Sequence, residues 1–353
     1  MPIEFHDSGV RFLLQKIDGV RKGMPLSDSD IQVILSNADV DIWLRAYESW
    51  IEGARRALEL ILASLHKESP EGLDQWGQRI DFGLRVAVDE PDRMSSALKF
   101  FSEFDWSQAE RNTLRFLPEG TPMEVKVILT IDGFNSGMFQ GNHVFLSSVY
   151  FDPSLVSEDT FTHEFHHGGV TYWFNRHALI QKYTGKNGTQ ETWLVELFTY
   201  MVSEGLANAF CSPDAISLHE GEGMFVEKLN ATIGDFEARQ DEIFIHLEKI
   251  IRYITEDRKH RRSVKEPYEK LTLAQGAASM PTGHFLSGRM VQAMDNSSKV
   301  TREQIVGLVK EPFDFFTLYN IAAKDGNLRQ FTPKTLKSID IMLGKMRKDS
   351  ISP

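Results

Sequence analysis

His163-Glu164-Phe165-His166-His167 is the stretch that decides how this chain is read. On a helix, His163 and His167 stand four positions apart and share a face, where two imidazoles can hold one Zn²⁺. Glu164 lies about 100° round from His163 and can reach a water on such a metal without being a ligand. The pattern therefore supplies two ligands and a general base. With 11 His and 27 Glu in 353 residues, chance yields this H-E-x-x-H spacing roughly 0.03 times per chain. Coincidence is a poor account of it.

The flanks predict a helix. Ser157 is placed to cap it, and Glu158 and Asp159 suit the positive end of its dipole. Val156, His163, His167, Val170 and Phe174 fall on one stripe of a 3.6-residue period, which predicts that the ligand pair faces the interior. Gly168-Gly169 costs helix stability, so it predicts close approach by a neighbouring backbone or a helix that ends near His167.

A catalytic zinc takes three protein ligands and keeps a fourth position open. A metzincin-type extension would need Gly at 170 and His at 173, where this chain has Val170 and Trp173. His177 lies ten residues past His167, about 15 Å along a helix, too far to join the pair. Glu204 is the better candidate. In the segment from Trp193 to Asn208, Glu204 falls between Trp193, Leu197, Tyr200 and Met201 on the apolar side. A carboxylate there needs a partner, and a metal supplies one. Glu196, about 80° away, reads as a group supporting a ligand from behind or as a surface acid.

His163-Glu164-x-x-His167 followed by Ser203-Glu204-Gly205-Leu206-Ala207 resembles the gluzincin metallopeptidases, the thermolysin-like clan. The resemblance is closest to the predicted zinc-dependent proteases with an H-E-x-H-H … E-G-L/I-A pattern, and the doubled His166-His167 looks typical of them. It implies Zn²⁺ as cofactor, held by His163, His167 and Glu204, with Glu164 as the base. It further implies peptide-bond hydrolysis on a peptide or protein substrate. The gap of 36 residues between His167 and Glu204 is longer than in thermolysin itself. Relatives carry a Tyr, then Gly, then Met after the ligand helix. His284 and Ser287 stand where that Tyr and Gly would align, so the resemblance implies an oxyanion or substrate contact for His284.

Residues 124–131 and 143–151 read as strands, with Gly133, Gly137 and Gly141 punctuating a loop between them. In gluzincins an edge strand before the metal helix pairs with the substrate backbone. Elsewhere the patterns are helical, including one long helix from Asp41 to His66, another from Phe236 to Tyr253 and another from Phe285 to Met294. The expected fold is mostly α with a small β-sheet (α+β). A zincin-like metal-binding core over 124–215 is flanked by helical parts over 1–123 and 216–353, the latter completing the cleft.

Hydrophobic content of 41% and charged content of 25% are those of an ordinary globular protein. A net charge of −11 argues against nucleic acid as a partner and offers nothing to anionic membranes. The basic run Arg258-Lys259-His260-Arg261-Arg262 reads as a solvated helix face. Cys211, the one cysteine, excludes an intrachain disulfide and reads as a small buried hydrophobe. No signal peptide or membrane span is apparent, so the expected location is cytoplasmic. Two rival readings share the same residues. One is a non-catalytic metal-binding regulator or scaffold, its site closed by a fourth side chain such as His166; the other is a histidine cluster without metal.

Overall fold

The computed structural model describes residues 3–48, 53–131, 133, 137–150, 158–185, 188–220, 224–256, 263–276 and 278–351. It is mostly helical with one small mixed sheet, the α+β class expected. The chain forms two compact units, Met1–Arg111 with Met123–Gly168, and Asn112–Pro122 with Gly169–Pro353.

The first unit contains helices α1 (Ser8–Arg21), α2 (Asp28–Leu35), α3 (Ala38–Glu48), α4 (Ala54–Ser64), α5 (Gln75–Asp89), α6 (Pro91–Glu103) and most of α7 (Trp106–Leu114). Local signals set their ends. Ser27 and Asp30 form a reciprocal capping box on α2, and the Asp74 carboxylate accepts from the backbone N–H of Trp76 and Gly77 at the start of α5. The single helix expected from Asp41 to His66 is two helices. Gly53 adopts φ +82° immediately before α4, a conformation that a continuous helix cannot contain.

The sheet has strand order β1-β2-β4-β3, with β1 (Glu4–His6), β2 (Lys126–Thr130), β3 (Gly137–Gln140) and β4 (His143–Ser147). β1, β2 and β4 run parallel, and β3 returns antiparallel on β4 as the edge. Val127, Ile128 and Leu129 are all buried, as befits a strand covered on both faces. Both strands read from the sequence are present but shorter. The second gives way to a 3₁₀ turn at Ser148–Tyr150, where Ser148 turns its hydroxyl to the Thr130 carbonyl. The supposed loop between them contains β3, and β1 carried no legible signal.

The second unit contains α9 (Ala178–Tyr183), α10 (Gln190–Leu206), α11 (Met224–Ala238), α12 (Gln240–Glu256), α13 (Lys265–Thr272), α14 (Thr282–Asp295), α15 (Arg302–Gly307), α16 (Phe315–Asp325) and α17 (Pro333–Ile351). The helix expected over Phe236 to Tyr253 is the end of α11 and most of α12, and that over Phe285 to Met294 lies within α14. α12 buries Ile243, Phe244, Leu247, Ile250, Ile251 and Ile254, a clean helical stripe. α10 packs on α14 through small residues. A Cβ at Gly205 would stand 3.0 Å from the Ser287 carbonyl oxygen, and one at Gly283 would meet the Tyr200 hydroxyl at 2.7 Å and the Leu271 carbonyl oxygen at 2.8 Å.

Because backbone bounds the space at Gly283, Gly283→Ala cannot be absorbed by a side-chain rotation alone. It should lower stability by about 1–3 kcal/mol. Urea unfolding should show a lower midpoint with unchanged m.

Candidate metal centre

α8 (Glu158–Phe174) carries the H-E-x-x-H stretch and divides its surface between two tasks. Phe161 and Phe165 are fully buried among aromatic rings, Phe161 with Phe101, Phe104 and Trp106 at 4.7–5.7 Å between centroids, and Phe165 with Trp106 at 6.2 Å. His163, Glu164 and His167 lie on the other side of the helix and are half-buried. The expectation that the ligand pair faces the core is therefore corrected. The bulky apolar groups of this helix sit about 160–200° away from His163 and take the core themselves. The expected start at Ser157 and the stripe residue Val156 lie outside the described residues.

α8 does not end near His167; it runs on to Phe174. The glycine pair is explained by side chains rather than by a neighbouring backbone. A Cβ at Gly168 would press on Val125 and Phe139 at 3.0 and 3.2 Å, and one at Gly169 would overlap Leu117 at 2.2 Å. Gly137 of β3 faces the proposed base, since a Cβ there would stand 3.0 Å from Glu164 Cγ and 3.1 Å from its Oε1. The edge strand thus passes directly over the Glu164 carboxylate. In the sequence Gly137 punctuates a loop, and nothing there signals its role as room for Glu164.

Glu204 sits in the last turn of α10, whose start is capped by Thr189 accepting from the Thr192 backbone N–H. His163 and His167 hold their rings 4.7 Å apart and nearly perpendicular. One ligand atom from each of His163, His167 and Glu204 lies within 4.8 Å of the others. Two imidazoles and a carboxylate, all half-buried, are a donor set that suits zinc. Among the described residues no fourth His, Cys, Asp or Glu joins the group. His166 is fully buried, unlike its two half-exposed neighbours in the motif.

His284 on α14 places Nε2 3.5 Å from Glu204 Oε2, and its ring centroid is 5.7 Å from that of Tyr200. Tyr200 lies one turn before Glu204, with its hydroxyl buried, and its pKa is raised well above the usual phenol range by burial, then by the charges of Glu204 and Tyr268. Glu196 is half-buried and its pKa is raised by that burial alone. Cys211 is buried, as its reading as a small hydrophobe requires. The basic run from Arg258 to Arg262 lies outside the described residues. No helix among the described residues is long and apolar enough to cross a membrane.

Residues 85–327 match the family described as "putative zinc dependent peptidase", DUF5700. The chain belongs to that family. The match takes in α8, α10 and α14, so every residue discussed at the centre lies inside the span that defines the family. It extends well beyond residues 124–210, where the sequence motifs are most specific. No curated protein and no solved structure matches the chain.

Two measurements follow from this arrangement. Elemental analysis should find about one zinc per wild-type chain and sharply less in Glu204→Ala, since three ligands are the minimum for a tight site. The second concerns His177, which precedes α9 and packs 5.3 Å from the Phe313 ring. Burial lowers its pKa despite Glu311 nearby. Between the two pKa values the unfolded chain binds more protons, so stability should fall as pH drops below about 6.5. His177→Phe should flatten that part of the stability profile measured by urea unfolding.

Proposed function

We propose that this protein is a gluzincin-type zinc peptidase that hydrolyses peptide bonds with Glu164 as general base. The observation that carries this reading is the convergence of ligand atoms from His163, His167 and Glu204. Membership of a zinc peptidase family supports it at the level of chemistry.

His163, His167 and Glu204 would hold a zinc ion, which when bound would supply Lewis acidity towards a water and the scissile carbonyl. Glu164, next to His163 and with the room left by Gly137, takes the proton as the water attacks. It then delivers that proton to the leaving amine. His284, 3.5 Å from Glu204, is the second catalytic group in this proposal; its ring N–H donates to the carbonyl oxygen as negative charge develops there. Among the described residues β3 is paired by β4 alone, and its other edge can take an extended substrate backbone as an added strand. Main-chain pairing of that kind positions the scissile bond without demanding one particular sequence.

The alternative of a closed, non-catalytic metal site needs a fourth protein ligand. Among the described residues the donor set numbers three, the count of an open site.

Glu164→Gln is the deciding variant. It should retain zinc at the wild-type level while turnover of a peptide substrate falls by about 10²–10⁴-fold. Wild-type turnover in that variant would remove Glu164 as the base. His284→Ala should lower kcat more than it raises KM, because the contact is made to charge that exists only in the transition state.

A further inference from the structure

α10 presents a row of side chains leading away from the candidate ligand. Trp193, Glu196, Tyr200 and Glu204 fall within about 80° of one another on the helix. None of the four is fully buried, whereas Leu194, Val195, Leu197, Phe198 and Met201 behind them are. Two residues from facing helices border the row. Tyr268 of α13 lies 5.1 Å from Trp193 and 6.5 Å from Tyr200, between ring centroids, and His284 of α14 stands beside Tyr200 and Glu204.

Glu196 is the anomaly in this row. Its carboxylate has neither a hydrogen bond nor an ion pair among the described residues, while Glu191, on the same helix, pairs with Lys345 at 3.5 Å and Glu204 stands 3.5 Å from His284. Its charge joins burial in raising the Tyr268 pKa, so Tyr268 lies within its electrostatic reach. Keeping a half-buried carboxylate without a counter-charge costs stability. Two aromatic rings beside it add negative quadrupole faces, and carboxylate plus rings is a surface that accepts a cation.

We propose that Glu196, Trp193 and Tyr268 form a substrate subsite for a lysine or arginine side chain. The proposal rests on the peptidase reading above. Eight residues of helix separate Glu196 from Glu204, about 12 Å. An extended peptide advances about 3.3 Å per residue, so the cationic residue sits about three to four positions from the cleaved bond.

The test uses end-blocked peptides in which one lysine is moved along an otherwise uncharged sequence, each paired with its norleucine counterpart. Binding is read from tryptophan fluorescence of the zinc-loaded Glu164→Gln protein, and cleavage from the wild type. One lysine position should bind about tenfold more tightly than norleucine. Adding Glu196→Gln should abolish that difference, and Glu196→Asp should restore part of it. Unfolding of Glu196→Gln should show no loss of stability, because no internal partner is removed. Equal binding of lysine and norleucine peptides at every position, a preference that survives Glu196→Gln, or no binding of any peptide would overturn the subsite. Lysine-dependent binding that needs Glu196, without cleavage by the wild type, would remove the peptidase reading and leave the cation subsite in place. Cleavage with no lysine preference would remove the subsite alone.

Discussion

The close packing of α10 on α14 is the constraint on which the surroundings of Glu204 depend. Glu204 can stand beside His284 only because Gly205 lets the Ser287 carbonyl approach and Gly283 makes room for Tyr200. Larger residues would force the helices apart by roughly the width of a methyl group, and a contact of 3.5 Å between ring nitrogen and carboxylate would open. The same packing buries the Tyr200 hydroxyl one turn before Glu204. After Leu206 the helix widens into a π-helical turn at Ala207–Cys211, where the Asn208 side chain donates to the Glu204 carbonyl. The backbone under the candidate ligand is thereby held by the residue that follows it one turn later.

α8 meets the opposite requirement. It must be fixed firmly yet leave two imidazoles and a carboxylate half-open. Phe161 and Phe165 fix it, one turn apart, in a cluster that also gathers Phe5, Phe101, Phe104 and Trp106. Each such ring buries a large apolar area and prefers tilted or edge contacts, which restrict rotation of the helix about its axis. That restriction matters because a helix rotated by one residue would replace His163 with a neighbour on the ligand face.

Much of this was legible in the sequence, and the reasons are local. The i, i+4 pair in His163 and His167, and a carboxylate set in the apolar stripe of α10, are signals contained within single helices. The strands β2 and β4 announced themselves by runs of Val, Ile, Leu and Phe. What escaped was set by partners distant in the chain. The ligand stripe was assigned to the interior because Val170 and Phe174 continue it, yet the aromatic cluster that claims the other face comes mainly from Phe101, Phe104 and Trp106. Gly53 falls within a long amphipathic pattern, and its left-handed backbone immediately before α4 has no signal in that pattern. The pattern of α10 alone makes Glu196 an accessory or surface acid, because nothing in it foretells Tyr268 of α13, which packs near Trp193 and feels the charge of Glu196.

The order of strands also bears on how the chain acquires its shape during synthesis. Among the described residues β1 pairs only with β2, although more than a hundred residues, mostly helical, separate them in sequence. At about 5–20 residues per second, the ribosome needs on the order of 6–24 s to supply the partner of the first strand. During that interval α1 to α7 can form from local contacts, while Glu4–His6 must wait beside them without its ladder. The sheet beneath the H-E-x-x-H helix is therefore a late structure, completed only as β2 and β4 emerge and shortly before α8 itself.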